Sequence, residues 1–339
     1  YIYYYIKAFF IGKNHNKSDI KEYLKQCCSH LYVRDYANTV LFAAYHLPAE
    51  WLLQYIGLAV DGVFSQRHPI LFGKDGGEIR ALLSHAERLE YVERDPVVTR
   101  REREKRRDEV EDGSDGLSEQ EEHSDRLSVM AQIAMLFKSS DILGQILKSQ
   151  YPTIERSDRI EFIRRLFDAP LRTLSDFFET MAEDPSRLED EVKDALLEKG
   201  MSSSDDEARD LARKVVAHLV QLIIFGFITK TADAINSRKL REDVERLVDK
   251  RNSAAYRLIE VGAILDSSSR LPKKKIDDLL QQFGHDIVVK NVLEMMVVRR
   301  LYMFQINRFD MQWARERFRF DATKQQIASQ DQSQKVNTK

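Results

Sequence analysis

Arginine precedes histidine by five residues at two places in the sequence, Arg80 with His85 and Arg213 with His218. On one face of a helix, the histidine could act as a general acid or base while the arginine holds a phosphate. This chemistry gives one alternative function, an all-helical ribonuclease. The chain has 8 histidines and 53 lysines and arginines, so such spacings also arise by chance. Packing of these histidines on ordinary helices is the competing interpretation.

Other catalytic patterns are missing from the sequence. It contains no G-x-x-x-x-G-K-[ST] phosphate loop, no G-x-G-x-x-G, no G-x-S-x-G and no H-E-x-x-H. The adjacent Cys27 and Cys28 do not have the spacing of a zinc site, and we expect two reduced thiols. We therefore expect a chain without enzymatic activity and without a cofactor.

Aromatic residues are concentrated in two stretches, "YIYYYIKAFFIGK" at the start and "RRLYMFQINRFDMQWARERFRF" near the end. Aromatic and arginine side chains serve as interface hot spots, and they also stack on single-stranded nucleic acid. Protein contact is the favoured interpretation, and nucleic-acid contact is the alternative. The candidate interface residues are Tyr1, Tyr3, Tyr4, Tyr5, Phe9, Phe10, Arg308, Trp313 and Arg317.

The first stretch lacks the alternation of a strand and predicts a helix that is apolar on nearly all sides. Gly12 stands where a left-handed C-cap would end this helix. A helix of this kind is stable only when protein covers it, and it is too short to span a membrane. We expect the segment from Tyr1 to Ile11 to be buried against a neighbour that the sequence does not include.

The rest of the chain predicts an all-α fold, an irregular stack of about a dozen helices. Only 13 glycines and 7 prolines occur in 339 residues, and helix-forming residues are abundant. Ser18 and Ser140 are predicted N-caps, Pro170 is predicted near the start of a helix, and a single helix is predicted over 238–265. The longest apolar run, 215–228, is shorter than a bilayer span and predicts a buried helix, so we expect no membrane association.

Composition divides the chain into four parts. A helical subdomain is predicted over 1–93, a charged linker over 94–126, a second helical domain over 127–328 and a polar tail over 329–339. The linker has few large apolar residues and changes from basic to acidic, which predicts a partly disordered excursion. The net charge of -2 gives no overall attraction to nucleic acid or acidic membranes.

Five blocks, in order, resemble the region that follows the ATPase core in bacterial STAND proteins, the NACHT-related signal-transduction ATPases with numerous domains. The blocks are "YIYYYIKAFFIGK", "YANTVLFAAYH", "DILGQILK", "APLRTLSDFFE" and "FGFITKTADAINSRKL". They extend over most of the chain. This sequence departs from the family pattern because it contains neither the effector nor the phosphate-binding loop. The charged stretch over 94–126 is also not part of the pattern.

The resemblance implies a non-catalytic, cytoplasmic regulatory and sensor module that acts by protein–protein contact in signalling or antiphage defence. Its implied partners are an upstream ATPase domain, other subunits, and a trigger that is a protein or a ligand. A helical protein-binding scaffold that uses the Trp313 helix is a further alternative.

Overall fold

The computed structural model describes residues 2–73, 77–86, 128–184, 186–202 and 204–318, and over these residues it contains fourteen α-helices and no strand. The predicted all-α fold is therefore confirmed. The helices are α1 (Ile2–Asn14), α2 (Ser18–Ser29), α3 (Arg34–Ala43), α4 (Ala49–Gly62), α5 (Gly77–Leu83), α6 (Val129–Ser149), α7 (Arg156–Glu183), α8 (Arg187–Glu198), α9 (Asp205–Ile235), α10 (Arg241–Arg251), α11 (Ala254–Ser267), α12 (Lys273–Phe283), α13 (Ile287–Met303) and α14 (Arg308–Phe318). The predicted linker over 94–126 and tail over 329–339 lie outside the described residues.

The helices stack irregularly around α9. The N-terminal helices form one end, where α1 packs on α3, α2 packs on α3 and α4, and α4 joins this end to α6 and α7. The long α9 contacts α5, α6, α7, α8, α11 and α13, while α12 and α14 contact α13. One hydrophobic core runs through both ends, and Ala8 and Ile11 of α1 are part of it.

Arg172 of α7 ties the two ends together by capping α4. Its Nη2 donates to the carbonyl oxygen of Val60 at 2.9 Å, and its Nε donates to that of Val63 at 3.2 Å. These carbonyls lie at the C-terminal end of α4, where backbone acceptors lack partners within the helix. Burial lowers the pKa of Arg172. The guanidinium of Arg172 therefore supplies the hydrogen bonds that the last backbone carbonyls of α4 need inside the core.

Two predicted helix starts lie inside continuous helices. Pro170 was expected near the start of a helix, but α7 passes through it, and every residue from Leu166 to Leu171 is buried. Burial offsets the cost of the lost backbone hydrogen bond. Ser140 was expected as an N-cap, but it is buried within α6, whose actual N-cap is Ser128.

Three other boundaries also differ from expectation. The helix predicted over 238–265 is two helices, because Asn252 adopts a left-handed conformation with a φ of 43° and Ser253 then caps α11. Ser18 is the first residue of α2, and the N-cap position belongs to Lys17, which makes no side-chain cap. Gly12 does not end α1, which continues to Asn14.

Within the described ranges, α9 is the only helix whose length and composition would allow it to cross a membrane. In its most apolar window, 44% of the residues are buried inside the protein. The core helix of a soluble protein meets the same length and composition test, and α9 packs against six other helices. The fold is consistent with a soluble protein.

Candidate interaction surface

One side of α1 anchors the helix to α3. Ala8 and Ile11 are buried, and the ring of Tyr4 stacks on that of Phe42 with centroids 6.1 Å apart. The Tyr4 hydroxyl also donates a hydrogen bond to the carboxylate of Asp35. Asp35 contributes to the raised pKa of Tyr4, first through this hydrogen bond. The anchoring contacts thus use only one side of an almost wholly apolar helix.

The C-terminal half of α1 approaches His46, which follows α3. A Cβ atom added at Gly12 would lie 2.6 Å from the Cβ of His46, so only glycine fits this approach without a shift. Tyr5 and Phe9 meet the His46 ring edge to face, with centroid distances of 5.6 Å and 6.0 Å. The glycine predicted as a helix end therefore serves close packing instead.

The opposite side of α1 is exposed, and we call it the α1 aromatic face. Its members are the exposed large apolar residues of α1: Ile2, Tyr3, Tyr5, Ile6, Phe9 and Phe10. Their exposed fractions run from 46% for Phe9 to 79% for Ile2. An exposed apolar patch of this kind is typical of a contact surface.

Lysines border this face, and α1 contains no acidic residue. The Lys7 ammonium lies 5.0 Å from the ring centroid of Tyr23 and 5.7 Å from that of Tyr3. Lys13 lies 4.4 Å from the centroid of Phe9. These cation–π contacts hold the rings in place and give the face a positive border. A complementary partner would present apolar side chains bordered by carboxylates.

Tyr45, which sequence reasoning missed, extends the exposed aromatic surface next to His46. Its side chain is 65% exposed, and its hydroxyl donates to Oε1 of Gln145 at 3.5 Å. Tyr45 lies two residues beyond the end of α3, and no pattern in the sequence marks it as exposed.

The predicted interface residues of α14 do not form a comparable surface. Trp313 is half-buried, with the Lys273 ammonium 5.7 Å from its ring centroid and the Phe318 ring against its edge. Arg317 donates to Oδ1 of Asp277 at 2.8 Å, while Arg308 is exposed. Two of the three side chains are thus engaged within the protein. Tyr1 lies outside the described residues.

The first arginine–histidine pair is divided between a helix and the turn that follows it. Arg80 lies on α5 and donates to Oδ2 of Asp286 at 3.0 Å. His85 lies beyond the end of α5, in an exposed turn. The expectation that both side chains share one helix face is wrong here, because α5 ends at Leu83.

The second pair lies entirely on α9 but also does not share a face. Successive helical residues are rotated by about 100°, so five residues separate Arg213 and His218 by about 140° around the axis. Arg213 donates to Oε2 of Glu189 at 3.3 Å. His218 is exposed, which differs from the packed histidine that the apolar run predicted. In the described part of the chain, no group of three His, Cys, Asp or Glu residues is placed to hold a metal ion.

No protein-family model matches this chain, and neither a search of curated proteins nor a search of solved structures finds a match. Function must therefore be argued from the geometry of the molecule. The α1 aromatic face is the surface whose properties point most clearly to a role.

Proposed function

We propose that this chain is a non-catalytic helical regulatory and sensor module of a STAND-type signalling ATPase, acting in the cytoplasm through protein contact. Signalling or antiphage defence is the proposed setting. The observation that carries the proposal is the α1 aromatic face, the side of α1 on which six large apolar residues are exposed. The resemblance of five ordered sequence blocks to this class supplies the identity of the partner.

In this proposal the α1 aromatic face docks on the ATPase domain in the resting state. Burying a large apolar side chain contributes about 1.5–3 kcal/mol, and the side chains of this face are already about half exposed or more. Several of these side chains together can hold the ATPase domain against this chain in an inactive conformation. A trigger protein, a ligand or another subunit then shifts the population toward the undocked conformation by binding that conformation more tightly.

The first test is the genomic reading frame that precedes Tyr1. A Walker A motif encoded upstream in the same frame supports the proposal, because that motif binds the nucleotide phosphates. An upstream frame without an ATPase domain overturns it.

The second test places a charge on the face of the protein encoded by that frame. Ile6→Glu buries a carboxylate at the proposed contact, and Leu58→Glu is the matched control, since Ile6 is 62% exposed and Leu58 is 61% exposed. A regulatory coupling of 1–3 kcal/mol corresponds to a change of about 5- to 150-fold. We expect Ile6→Glu to change basal ATP hydrolysis by about that factor, and Leu58→Glu to leave it unchanged.

Equal ATP hydrolysis by the wild type and both variants contradicts regulation through α1. Circular dichroism must show the same helix content for both variants, because both positions are exposed and neither substitution should disturb the core. RNA cleavage that disappears in Arg213→Ala and His218→Ala variants of unchanged stability would favour the ribonuclease alternative instead.

A further inference from the structure

Helix α14 buries little apolar surface. Its buried residues are Asp310 and Ala314, and Phe309 is 80% exposed. The other large apolar side chains of α14 are only partly buried, and they are Met311, Trp313 and Phe318. Because most of the stability of a protein helix comes from packing of an apolar face, other contacts must help to hold α14 in place.

The carboxylate of Asp310 makes the main attachment. Its Oδ1 lies 2.8 Å from the ammonium nitrogen of Lys273, the first residue of α12. Its Oδ2 accepts the backbone N–H of Leu271 at 3.2 Å and the side-chain amide of Asn307 at 3.0 Å. One side chain therefore joins the first turn of α14 to the N-terminal end of α12.

These contacts of Asp310 are shielded from solvent, since its side chain is only 8% exposed. Burial opposes the charge of Asp310, but the hydrogen bonds from Lys273 and from the backbone of Leu271 outweigh burial and lower its pKa. Hydrogen bonds to a charged group are stronger than those between neutral groups. Removal of the charge of Asp310 should therefore loosen α14.

Two further contacts join the same side of α14 to α12. Arg317 donates from Nε to Oδ1 of Asp277 at 2.8 Å, and the Lys273 ammonium lies 5.7 Å from the ring centroid of Trp313. Positions 310, 313 and 317 share one side of the helix, because residues three or four apart are neighbours on its surface. These three contacts with α12 are electrostatic, and Lys273 takes part in two of them.

We propose that α14 is a latch that detaches from α12 and α13 as a unit while the other helices stay folded, and that Asp310 keeps the latch closed. Elements that open locally are those with few buried apolar contacts, and α14 is such an element. Detachment frees the Trp313 ring and the Arg317 guanidinium for contact with another molecule, and both residue types are enriched at interface hot spots. The latch does not depend on the α1 aromatic face or on the proposed role in an ATPase.

Native-state hydrogen exchange, resolved to single amides, tests whether α14 opens by itself. We expect the amides of α14 to exchange together and faster than those of α13. Exchange in α14 should depend little on low concentrations of urea, because a local opening exposes little surface. Exchange in α13 should depend strongly on urea, because it requires a larger unfolding.

Asp310→Asn removes the charge of the latch residue and nearly keeps its size. Asp278→Asn, at an exposed carboxylate on α12, is the matched control. Loss of a charge-assisted hydrogen bond changes an equilibrium by about 10- to 100-fold. We expect Asp310→Asn to speed exchange in α14 by about that factor and to leave exchange in α13 unchanged, while Asp278→Asn changes neither.

Fluorescence provides a second measurement, because Trp313 is the only tryptophan that remains in a Trp51→Phe background. Its emission should shift to longer wavelength at a lower urea concentration than the loss of helix seen by circular dichroism. Asp310→Asn should widen the gap between the two transitions.

The inference is overturned if α14 exchanges as slowly as α13, if exchange grades from one end of α14 to the other as in simple fraying, or if the two urea transitions coincide. It is also overturned if Asp310→Asn speeds exchange in α13 as much as in α14, or has no more effect than Asp278→Asn. Asp310 would then stabilise the whole fold or contribute nothing, and α14 would not be a latch.

Discussion

Two helical glycines offer a controlled test of how closely α6 and α9 cross. A Cβ atom added at Gly144 of α6 would lie 2.3 Å from the carbonyl oxygen of Ala234 in α9. A Cβ atom added at Gly226 of α9 would meet nothing within 4 Å. The substitutions Gly144→Ala and Gly226→Ala are chemically identical, so they change the unfolded chain in the same way.

The structure predicts opposite effects on stability. In a helix, alanine is more stable than glycine by about 0.5–1 kcal/mol, and Gly226→Ala should retain this gain. Gly144→Ala must also displace a backbone carbonyl by about 1 Å to reach ordinary contact. Overpacking of this kind costs about 1–3 kcal/mol, so after the helix-propensity gain the variant should lose up to about 2.5 kcal/mol overall. The two variants should then differ by about 1–3 kcal/mol.

Guanidinium chloride unfolding followed by circular dichroism measures this difference. The midpoint should rise for Gly226→Ala and fall for Gly144→Ala, with unchanged slopes. A Gly144→Ala variant as stable as Gly226→Ala would refute the close crossing. It would also remove the reason for a glycine at this position.

Two further predictions concern buried or paired carboxylates. The fully buried side chain of Asp286 accepts the backbone N–H of Val288 and a hydrogen bond from Arg80, so Asp286→Ala should cost about 3–5 kcal/mol in the same unfolding assay. Asp286→Asn, which keeps an acceptor, should cost less, and a loss below about 1 kcal/mol for alanine would contradict this role. Arg164 donates two hydrogen bonds to Glu161 and lowers the pKa of its carboxyl from 4.5 to about 2. Because the folded-state pKa of Glu161 lies below the unfolded one, the stability that this ion pair contributes is present above about pH 4.5 and is lost as the pH falls toward 2. The unfolding midpoints of wild type and Glu161→Gln should therefore converge over that interval. A difference between the midpoints that stays constant would show that the pair does not titrate.

Much of the fold could be predicted because helix formation is largely local. The scarcity of glycine and proline predicted an all-α chain, and the structure confirms this prediction over the described residues. The errors fall where tertiary contacts override local preference. Pro170 and Ser140 would begin helices by local rules, yet both lie in buried helix interiors.

The candidate surface was predictable only in part. The sequence identified an aromatic N-terminal helix that needs a partner, and the structure shows α1 with one side anchored and one side exposed. The sequence could not show which residues of α1 would face solvent. Tyr45 was missed because its exposure depends on packing around His46, beyond the end of α3.

The sequence alone therefore determined the helical class and the presence of an aromatic first helix, because backbone propensity and apolar spacing act within a few residues. The tertiary structure decided which face of α1 stays exposed and where α6 and α9 cross. Those features depend on residues far apart in the chain, such as Gly73 and Asp286, which are separated by 213 positions and joined by a 2.7 Å hydrogen bond. Local sequence patterns do not predict such contacts, because the contacts form only when helices that are distant in the sequence pack together.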